Sequence, residues 1–430
     1  LRVRTCSWIV GVALALVPAA AHAAESPGPG TLTSGSVTSD GARYDYLRYV
    51  PSTYRPGTKA PLLVSVHGCQ TTADAEMRST LWNRVAEREG FVVLYPDVDV
   101  VGRLLPGPLN QCWKFFSPTT YARGGGDPDA IAQMTRRVVG ELDIDRERVY
   151  AVGTSAGGLM TSVLASTYAE MFAAVGLVET AGFLDGPCFT TGIGIPVQLS
   201  AQLARAGMGG RARVVPVIGI GGTADLAFPP TCIAKAVEQG LRTSNLVLGA
   251  SQTGPISLRP ATVSHERKPG GRSYTVSRFQ DPAGCLVAER WIIDGLAHSW
   301  PGGTTDRKYN TDPKAPDGSE AIWPFLRRYT RSTTAMPCAE APVEPASSPV
   351  DVGPAACPPR TVTVTLPRGA RVRGVRASVG RTAVRVRRAG RRVRVTLPAG
   401  RPGDRTRVVL TVRRAGRAKA QTVRRSFKRC

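Results

Sequence analysis

The segment Val149-Tyr150-Ala151-Val152-Gly153-Thr154-Ser155-Ala156-Gly157-Gly158-Leu159-Met160 carries the most structural information in this chain. The apolar run at 149–153 reads as a strand, and 156–169 reads as a helix. Only Thr154 and Ser155 separate them. Glycines at 153 and 157 permit a turn too tight for Cβ atoms, and the serine is then presented at the carboxyl end of the strand as a nucleophile elbow. A bare G-x-S-x-G also matches ordinary Gly/Ser-rich turns, so the strand before it and the helix after it give the motif its meaning.

The same rhythm extends in both directions. Strands are expected at 62–66, at 91–95 (stopped by Pro96), at 173–178, at 214–220 and at 291–293. Helices are expected at 73–88, at 127–142 and at 320–329, the second with Asp127 as N-cap and Pro128 at its first position. Residues 25–35 form a Pro/Gly/Ser/Thr leader, and 36–50 alternate like a two-stranded hairpin with Tyr44, Tyr46 and Leu47 in its apolar set. Strands alternating with helices predict an α/β architecture, a mostly parallel sheet covered on both faces. The stretches 181–212 and 226–289 interrupt the alternation and are expected to be insertions that shape a substrate cleft.

Composition bounds the rest. The 430 residues suffice for two or three domains at roughly 100–200 residues each, and 42% apolar residues can bury a large core, which excludes a mainly disordered chain. Beyond the first residues no apolar run approaches the roughly 20 needed to cross a bilayer. The formal charge of +24 is unevenly distributed. Residues 357–430 hold 23 Lys and Arg against a single acid, Asp404, whereas 25–356 balance 31 basic with 31 acidic residues. The basicity therefore belongs to a C-terminal module, and whole-chain pI is no argument for nucleic-acid binding.

The start resembles an export signal: Arg2 and Arg4, an apolar stretch at 8–20, then Ala21-His22-Ala23 as a cleavage site. A membrane anchor is the alternative, and the short stretch with small residues after it argues against one. Secretion with removal of 1–24 is expected. It leaves Cys69, Cys112, Cys188, Cys232, Cys285, Cys338, Cys357 and Cys430, an even set suited to disulfides outside the cytosol. No C-x-x-C pair or Cys/His cluster has zinc spacing, so no metal site is expected. Cys357 and Cys430 bracket the basic module and are expected to pair. Residues 337–359 contain seven prolines and no Lys or Arg, a stiff linker. The domains expected are thus 25–336, a Pro-rich linker at 337–356, and an Arg-rich β-domain at 357–430 with short strands at 361–366, 383–386, 392–397 and 408–412.

A serine needs a general base in contact with it. After the leader only His67, His265 and His298 are available. His265 lies in the polar stretch Ser264-His265-Glu266-Arg267-Lys268, and His67 precedes the serine. In an elbow-bearing sheet the chain order is serine, acid, histidine, which selects His298, in His298-Ser299-Trp300-Pro301-Gly302-Gly303. The acid must follow a strand between them. Asp225, in Gly221-Gly222-Thr223-Ala224-Asp225, is favoured; Asp185 and Asp281 close no convincing strand, and Asp294 sits on the strand before His298. Oxyanion donors are expected from the Ala156 N–H, at a helix start, and from the loop His67-Gly68-Cys69-Gln70, with the Cys69 N–H first.

Together these landmarks resemble the secreted α/β-hydrolase esterases that include polyhydroxybutyrate depolymerases, feruloyl esterases and acetylxylan esterases. The matching segments are His67-Gly68-Cys69-Gln70, Asn110-Gln111-Cys112-Trp113, 153–158, 221–225 with Pro229-Pro230, and 298–303, in family order over about residues 35–335. The resemblance implies an α/β-hydrolase fold, a Ser155–Asp225–His298 triad, an oxyanion N–H from Cys69, a Cys69–Cys112 disulfide, and Trp113, Trp300 and Phe228 near the mouth of the site. Those three aromatics are equally readable as core. Thr154 stands where the family has Leu, and the inserts around Cys188 and Cys232 and at 241–289 depart further.

The expected chemistry is cofactor-free ester hydrolysis through an acyl-enzyme, first on a polyhydroxybutyrate-type polyester. The second expectation is a feruloyl or acetyl ester of plant polysaccharide. The alternative of another class is an inactive secreted binding or adhesion protein held by its basic tail. Residues 357–430 contain no Trp or Tyr and only Phe427, which weakens sugar and nucleic-acid binding because both use aromatic stacking. An anionic cell-envelope surface remains a partner for this module, and a solvated β-face is its plain reading.

Overall fold

The computed structural model describes residues 28–332, 360–365, 372–379, 382–384, 386–389, 392–397, 405–414 and 421–428, and the chain divides into two units, Leu1–Ala341 and Pro342–Cys430. The first unit opens with the hairpin β1 (Thr31–Ser39) and β2 (Ala42–Val50), followed by β3 (Ala60–Val66), α1 (Ala73–Thr80), α2 (Trp82–Glu89), β4 (Val92–Pro96), α3 (Val100–Leu104) and α4 (Gly126–Glu141). It continues with β5 (Ile144–Thr154), α5 (Ala156–Thr167), β6 (Ala174–Val178), α6 (Val197–Met208), β7 (Val217–Gly222) and α7 (Pro230–Val247). β8 (Thr262–Arg267), β9 (Ser273–Gln280), β10 (Leu286–Ile293), the short β11 (Trp300–Pro301) and β12 (Thr311–Asp312), and α8 (Gly318–Leu326) complete it.

Ten strands form one sheet in the order β1-β2-β4-β3-β5-β6-β7-β10-β9-β8. The run from β4 to β10 is parallel, and antiparallel pairs flank it on both sides. Every residue of β3, β4 and β6 is buried, as expected for parallel strands covered on both faces. Successive side chains serve opposite layers. Leu62, Val64 and Val66 join the helices α4, α5 and α7 in one core. Leu63, Val93 and Val152 join Trp82, Trp300, Ile322 and Trp323 in the other. The α/β architecture and mostly parallel sheet agree with expectation.

The chain departs from β3 to one side, through β4, and then returns to the other side of β3 as β5. Ligands of open α/β sheets bind at the carboxyl ends beside such a reversal. Register aligns those ends: Val66 faces Gly153, Thr154 faces Val178, Val178 faces Ile220, and Gly222 faces Ile293. Loops bearing His67, Ser155, Asp225 and His298 therefore leave one edge of the sheet.

Several local expectations need correction. Residues 31–35 of the expected leader are part of the hairpin, since β1 begins at Thr31. The helix expected at 73–88 is two helices, because Leu81 takes a left-handed conformation (φ 58°). The carbonyls released by that break are not wasted: Ser79 O accepts from Thr304 N (3.0 Å) and Thr80 O from Ser319 Oγ (2.6 Å). Asp127 is not an N-cap. Gly125 holds that position, and Asp40 from the hairpin turn accepts the Gly126 N–H at 2.7 Å. Asp127 is buried instead, accepting from Tyr44 Oη (2.8 Å) and Lys114 N (2.5 Å) and pairing with Lys114 Nζ (3.0 Å). The stretch 226–289 is not merely an insertion, because it supplies α7 and the antiparallel strands β8 and β9 that extend the sheet.

The second unit contains β13 (Arg360–Thr365), β14 (Val372–Val379), β15 (Thr382–Val384), β16 (Val386–Ala389), β17 (Arg392–Leu397), β18 (Arg405–Arg414) and β19 (Gln421–Lys428). They pair antiparallel in the orders β13-β17-β16 and β15-β14-β18-β19. Val393 and Val395 are buried and Arg394 between them is exposed. The expected export segment at 1–24 with Cys6, the linker at 337–356, and Cys338, Cys357 and Cys430 lie outside the described residues.

Asp40→Ala is expected to cost about 1 kcal/mol, the value of a lost helix cap. Asp127→Ala is expected to cost about 3 kcal/mol or more, because it strips partners from a buried network. Urea unfolding of the two variants measures the order, and an equal cost would return Asp127 to a capping role.

Candidate active site

Ser155 follows β5 directly and stands at φ 56°, ψ −121°, a region so sparsely populated by L-residues that it costs of order 1–3 kcal/mol. Its neighbours hold it there. Ser155 N donates to Val178 O (2.9 Å), and Thr180 Oγ1 donates to Ser155 O (2.7 Å). A Cβ on Gly153 would lie 2.1 Å from Gly157 O, and one on Gly157 would lie 2.0 Å from Val66 O. No side chain fits at either place, so both glycines of the motif are required by contact.

His298 Nε2 lies 2.9 Å from Ser155 Oγ, and His298 Nδ1 lies 2.8 Å from Asp225 Oδ2. An ionised carboxylate only accepts, so Nδ1 carries the proton and Nε2 is left to accept the serine O–H. Asp225 is buried, and its other oxygen accepts the N–H groups of Ala227 (2.7 Å) and Phe228 (2.9 Å). Burial alone would push the Asp225 carboxyl up, but the hydrogen bonds from His298 and Glu179, with the charge of His298, bring it below its ordinary value of 3.8. Asp225 is thus anionic throughout the neutral range. A depressed folded value stabilises the fold above the unfolded carboxylate value and is lost only as pH falls through the folded one, so this contribution disappears in acid, below about pH 4.

The rival acids are disposed differently. Asp185 pairs with Lys235 (3.0 Å), Asp281 accepts from Ala283 N and Cys285 N within its own turn, and Asp294 is exposed. His265 is exposed on β8 against Thr275. His67 is buried, with Nδ1 2.6 Å from Gly68 O and Nε2 3.4 Å from Asp97.

Ala156 is the first residue of α5, so its N–H has no intrahelical acceptor. A Cβ on Gly68 would come within 3.2 Å of Ser155 Cβ, which brings the Gly68-Cys69 loop against Ser155. That loop is fastened twice to the segment before Trp113, by a Cys69–Cys112 disulfide and by Gln70 N donating to Asn110 O (2.8 Å). The opposite side carries a Cys188–Cys232 disulfide, and Cys285 is disulfide-bonded as well.

The aromatic expectations divide. Trp113 is wholly buried, its indole N–H donating to His67 O (2.8 Å). Trp300 is 2% exposed and packs on Trp82. Both therefore support the loops from behind and offer no surface to a substrate. Phe228 is also buried, but its ring lies 5.9 Å from that of His298 and 5.4 Å from that of Phe189. The exposed apolar side chains are ones the sequence reading did not select. Phe189 and Leu226 lie on the Asp225 side, and Val100, Val101, Leu104 and Phe116 lie on the segment fastened to Cys69. A further unselected residue is Glu179, directly after β6. With Asp225 and His298 it forms a group whose possible ligand atoms lie within 4.8 Å of one another. A metal ion there would have to displace the His298–Asp225 hydrogen bond.

Residues 44–195 match the family model described as esterase PHB depolymerase. That segment, which holds Ser155 and the Gly68-Cys69 loop, is what the chain shares with the esterase family. Poly(3-hydroxyalkanoate) depolymerase C of Paucimonas lemoignei is 30% identical over 268 residues, covering 59% of this chain and 58% of that protein. Acetylxylan esterase A of Emericella nidulans is 33% identical over 150 residues (34% and 46%), and feruloyl esterase B of Neurospora crassa is 35% identical over 127 (29% and 40%). The chain spans about half the length of these curated relatives. A solved acetyl xylan esterase from Aspergillus awamori aligns over 63% of this chain and 94% of its own, with 20% identity and a TM-score of 0.49. Among the described residues no helix is long and apolar enough to cross a membrane.

Replacing Cys188 and Cys232 by Ala opens a loop of 44 residues and is expected to cost about 2–4 kcal/mol by loop-closure entropy. Thermal or urea unfolding measures it. Replacing Cys69 and Cys112, 43 residues apart, is expected to cost a similar amount by the same measurement.

Proposed function

We propose that this chain is a secreted serine esterase that works through an acyl-enzyme. The observation that carries the reading is the unbroken line of hydrogen bonds from Ser155 through His298 to Asp225, at 2.9 and 2.8 Å. Ser155 Oγ attacks the ester carbonyl while His298 Nε2 takes its proton, and Asp225 stabilises the resulting imidazolium. The Ala156 and Cys69 N–H groups receive the developing oxyanion. His298 then protonates the leaving alkoxide, and water activated by the same nitrogen clears the acyl group from Ser155.

A hydroxyalkanoate polyester is the preferred substrate. Exposed Phe189, Leu226, Val100, Leu104 and Phe116 suit an apolar polymer surface better than a hydrated polysaccharide. The hydroxyalkanoate depolymerase is also similar to this chain over a longer stretch than the two carbohydrate esterases just named. A feruloyl or acetyl ester of polysaccharide is the second substrate class. The catalytic unit would occupy 25–336, with 1–24 removed on export, and the Arg-rich β-domain at 357–430 would hold the enzyme to an anionic surface.

Hydrolysis of a short-chain p-nitrophenyl ester, a polyhydroxybutyrate suspension and methyl ferulate by native protein and Ser155→Ala tests this. Turnover is expected to fall by at least about 10⁴-fold in the variant, with the polyester preferred. No turnover by native protein, or turnover indifferent to the substitution, would overturn the mechanism. Faster hydrolysis of methyl ferulate would move the substrate to plant polysaccharide. Truncation at residue 356 is expected to abolish salt-sensitive adsorption to anionic vesicles and to leave hydrolysis of the soluble ester intact.

A further inference from the structure

Ester hydrolysis as derived above leaves one carboxyl group of the site without a task. Glu179 is wholly buried and stands in a left-handed conformation (φ 47°) immediately after β6. Its N–H donates to Ile220 O (2.8 Å) and its Oε2 accepts the Gly222 N–H (3.2 Å), while Oε1 is buried without a protein donor. The titratable groups facing it are Asp225, from the loop after β7, and His298, from the loop after β10. Among the described residues no Lys or Arg pairs with Glu179 or Asp225.

Two buried carboxyl groups this close, with no fixed cation, cannot both be ionised. The surroundings decide which one keeps the proton. Asp225 receives three N–H groups, from Ala227, Phe228 and His298, and all three favour its anion. Glu179 receives one. The proton therefore belongs to Glu179. A carboxylate has about four lone-pair positions, so Asp225 has one left to accept a further donor.

We propose that Glu179 is a positioning residue for the hydrolytic site, held as the neutral acid and donating its O–H to Asp225, so that this carboxylate is fixed beneath His298. Burial first, then the hydrogen bond to Asp225 and the charge of Asp225, push the Glu179 carboxyl well above the usual range, in the same direction. The same short segment also holds the nucleophile, since Val178 O and Thr180 Oγ1 bind the Ser155 backbone. One turn after β6 thus places both Ser155 and Asp225. The donor also moderates the basicity of Asp225, so that the imidazolium can release its proton to the leaving alkoxide.

The proposal rests on the esterase reading, and the experiment separates the two. Native protein, Glu179→Gln and Glu179→Ala are compared in ester turnover and in the titration of the His298 imidazole followed by NMR, which needs no substrate. Glu179→Ala is expected to lower kcat at least about tenfold with KM within about twofold, as for a loss felt in the transition state. Glu179→Gln is expected to recover most of that loss, because its amide can donate to Asp225. The His298 midpoint in Glu179→Gln is expected within about 0.3 pH units of native, since one neutral group replaces another. If Glu179 were ionised, Glu179→Gln would remove a nearby negative charge and lower the midpoint by about one unit or more. Such a fall would overturn the proposal, as would native kcat in Glu179→Ala. If native protein hydrolyses no ester, the esterase reading fails, and the His298 titration in Glu179→Gln still decides the state of Glu179. Should Glu179→Ala not fold, the same titration decides.

Discussion

The backbone of Gly157 approaches the carbonyls of Val66 and His67 so closely that a methyl group there would overlap them. This contact locks the start of α5 onto the end of β3, and the rest of the site depends on it. With α5 seated there, Ser155 must take its strained conformation, and the Gly68-Cys69 loop must pass beside it. The strain is bearable because Val178 and Thr180 grip the Ser155 backbone from the other side. Ser155 is thus clamped between two neighbouring strand ends, and only its hydroxyl is free to choose a partner.

Electrostatics then follows from geometry. The sheet edge brings several carboxylates, imidazoles and amide dipoles into a space partly closed to water, where an uncompensated charge is expensive. Asp225 is given enough donors to remain an anion, and its charge orders what surrounds it. It selects the tautomer of His298, which determines that the serine O–H points at Nε2.

Much of this was legible in the sequence, for a definite reason. Ser155, Asp225 and His298 each follow an apolar strand, and in a parallel sheet of short connections such positions share an edge whatever the loops do. Their convergence needs chain order and strand ends, which one sequence contains. Other features depend on a partner distant in sequence and leave no local mark. Asp127 has the residue type and position of a helix cap, yet Tyr44 and Lys114 claim it for the interior. Leu81 lies mid-way through a good helical pattern, and the break there is set by Thr304 and Ser319, more than 200 residues later. β8 was missed because its residues are mostly exposed and polar, so no apolar alternation announced it. Trp113 and Trp300 accompany site motifs, but an aromatic beside a motif is as often a support as a surface. Glu179 is a lone acid after a strand, and nothing around it in sequence distinguishes a buried proton donor from a solvated carboxylate. The apolar run before it was the available signal.

The two disulfides of the first unit whose partners are both described share a further property. Cys69–Cys112 and Cys188–Cys232 cross-link segments beside the site, whereas Ser155, Asp225 and His298 are held by the sheet and its hydrogen bonds. Each bracket also encloses part of the site: Cys69 stands in the loop against Ser155, and Asp225 lies between Cys188 and Cys232 in the chain. Covalent bonds and strand ends thus fix the same few backbone positions twice over. Exposed side chains between them, such as Leu104 and Phe189, are left to vary inside a frame that does not move with them.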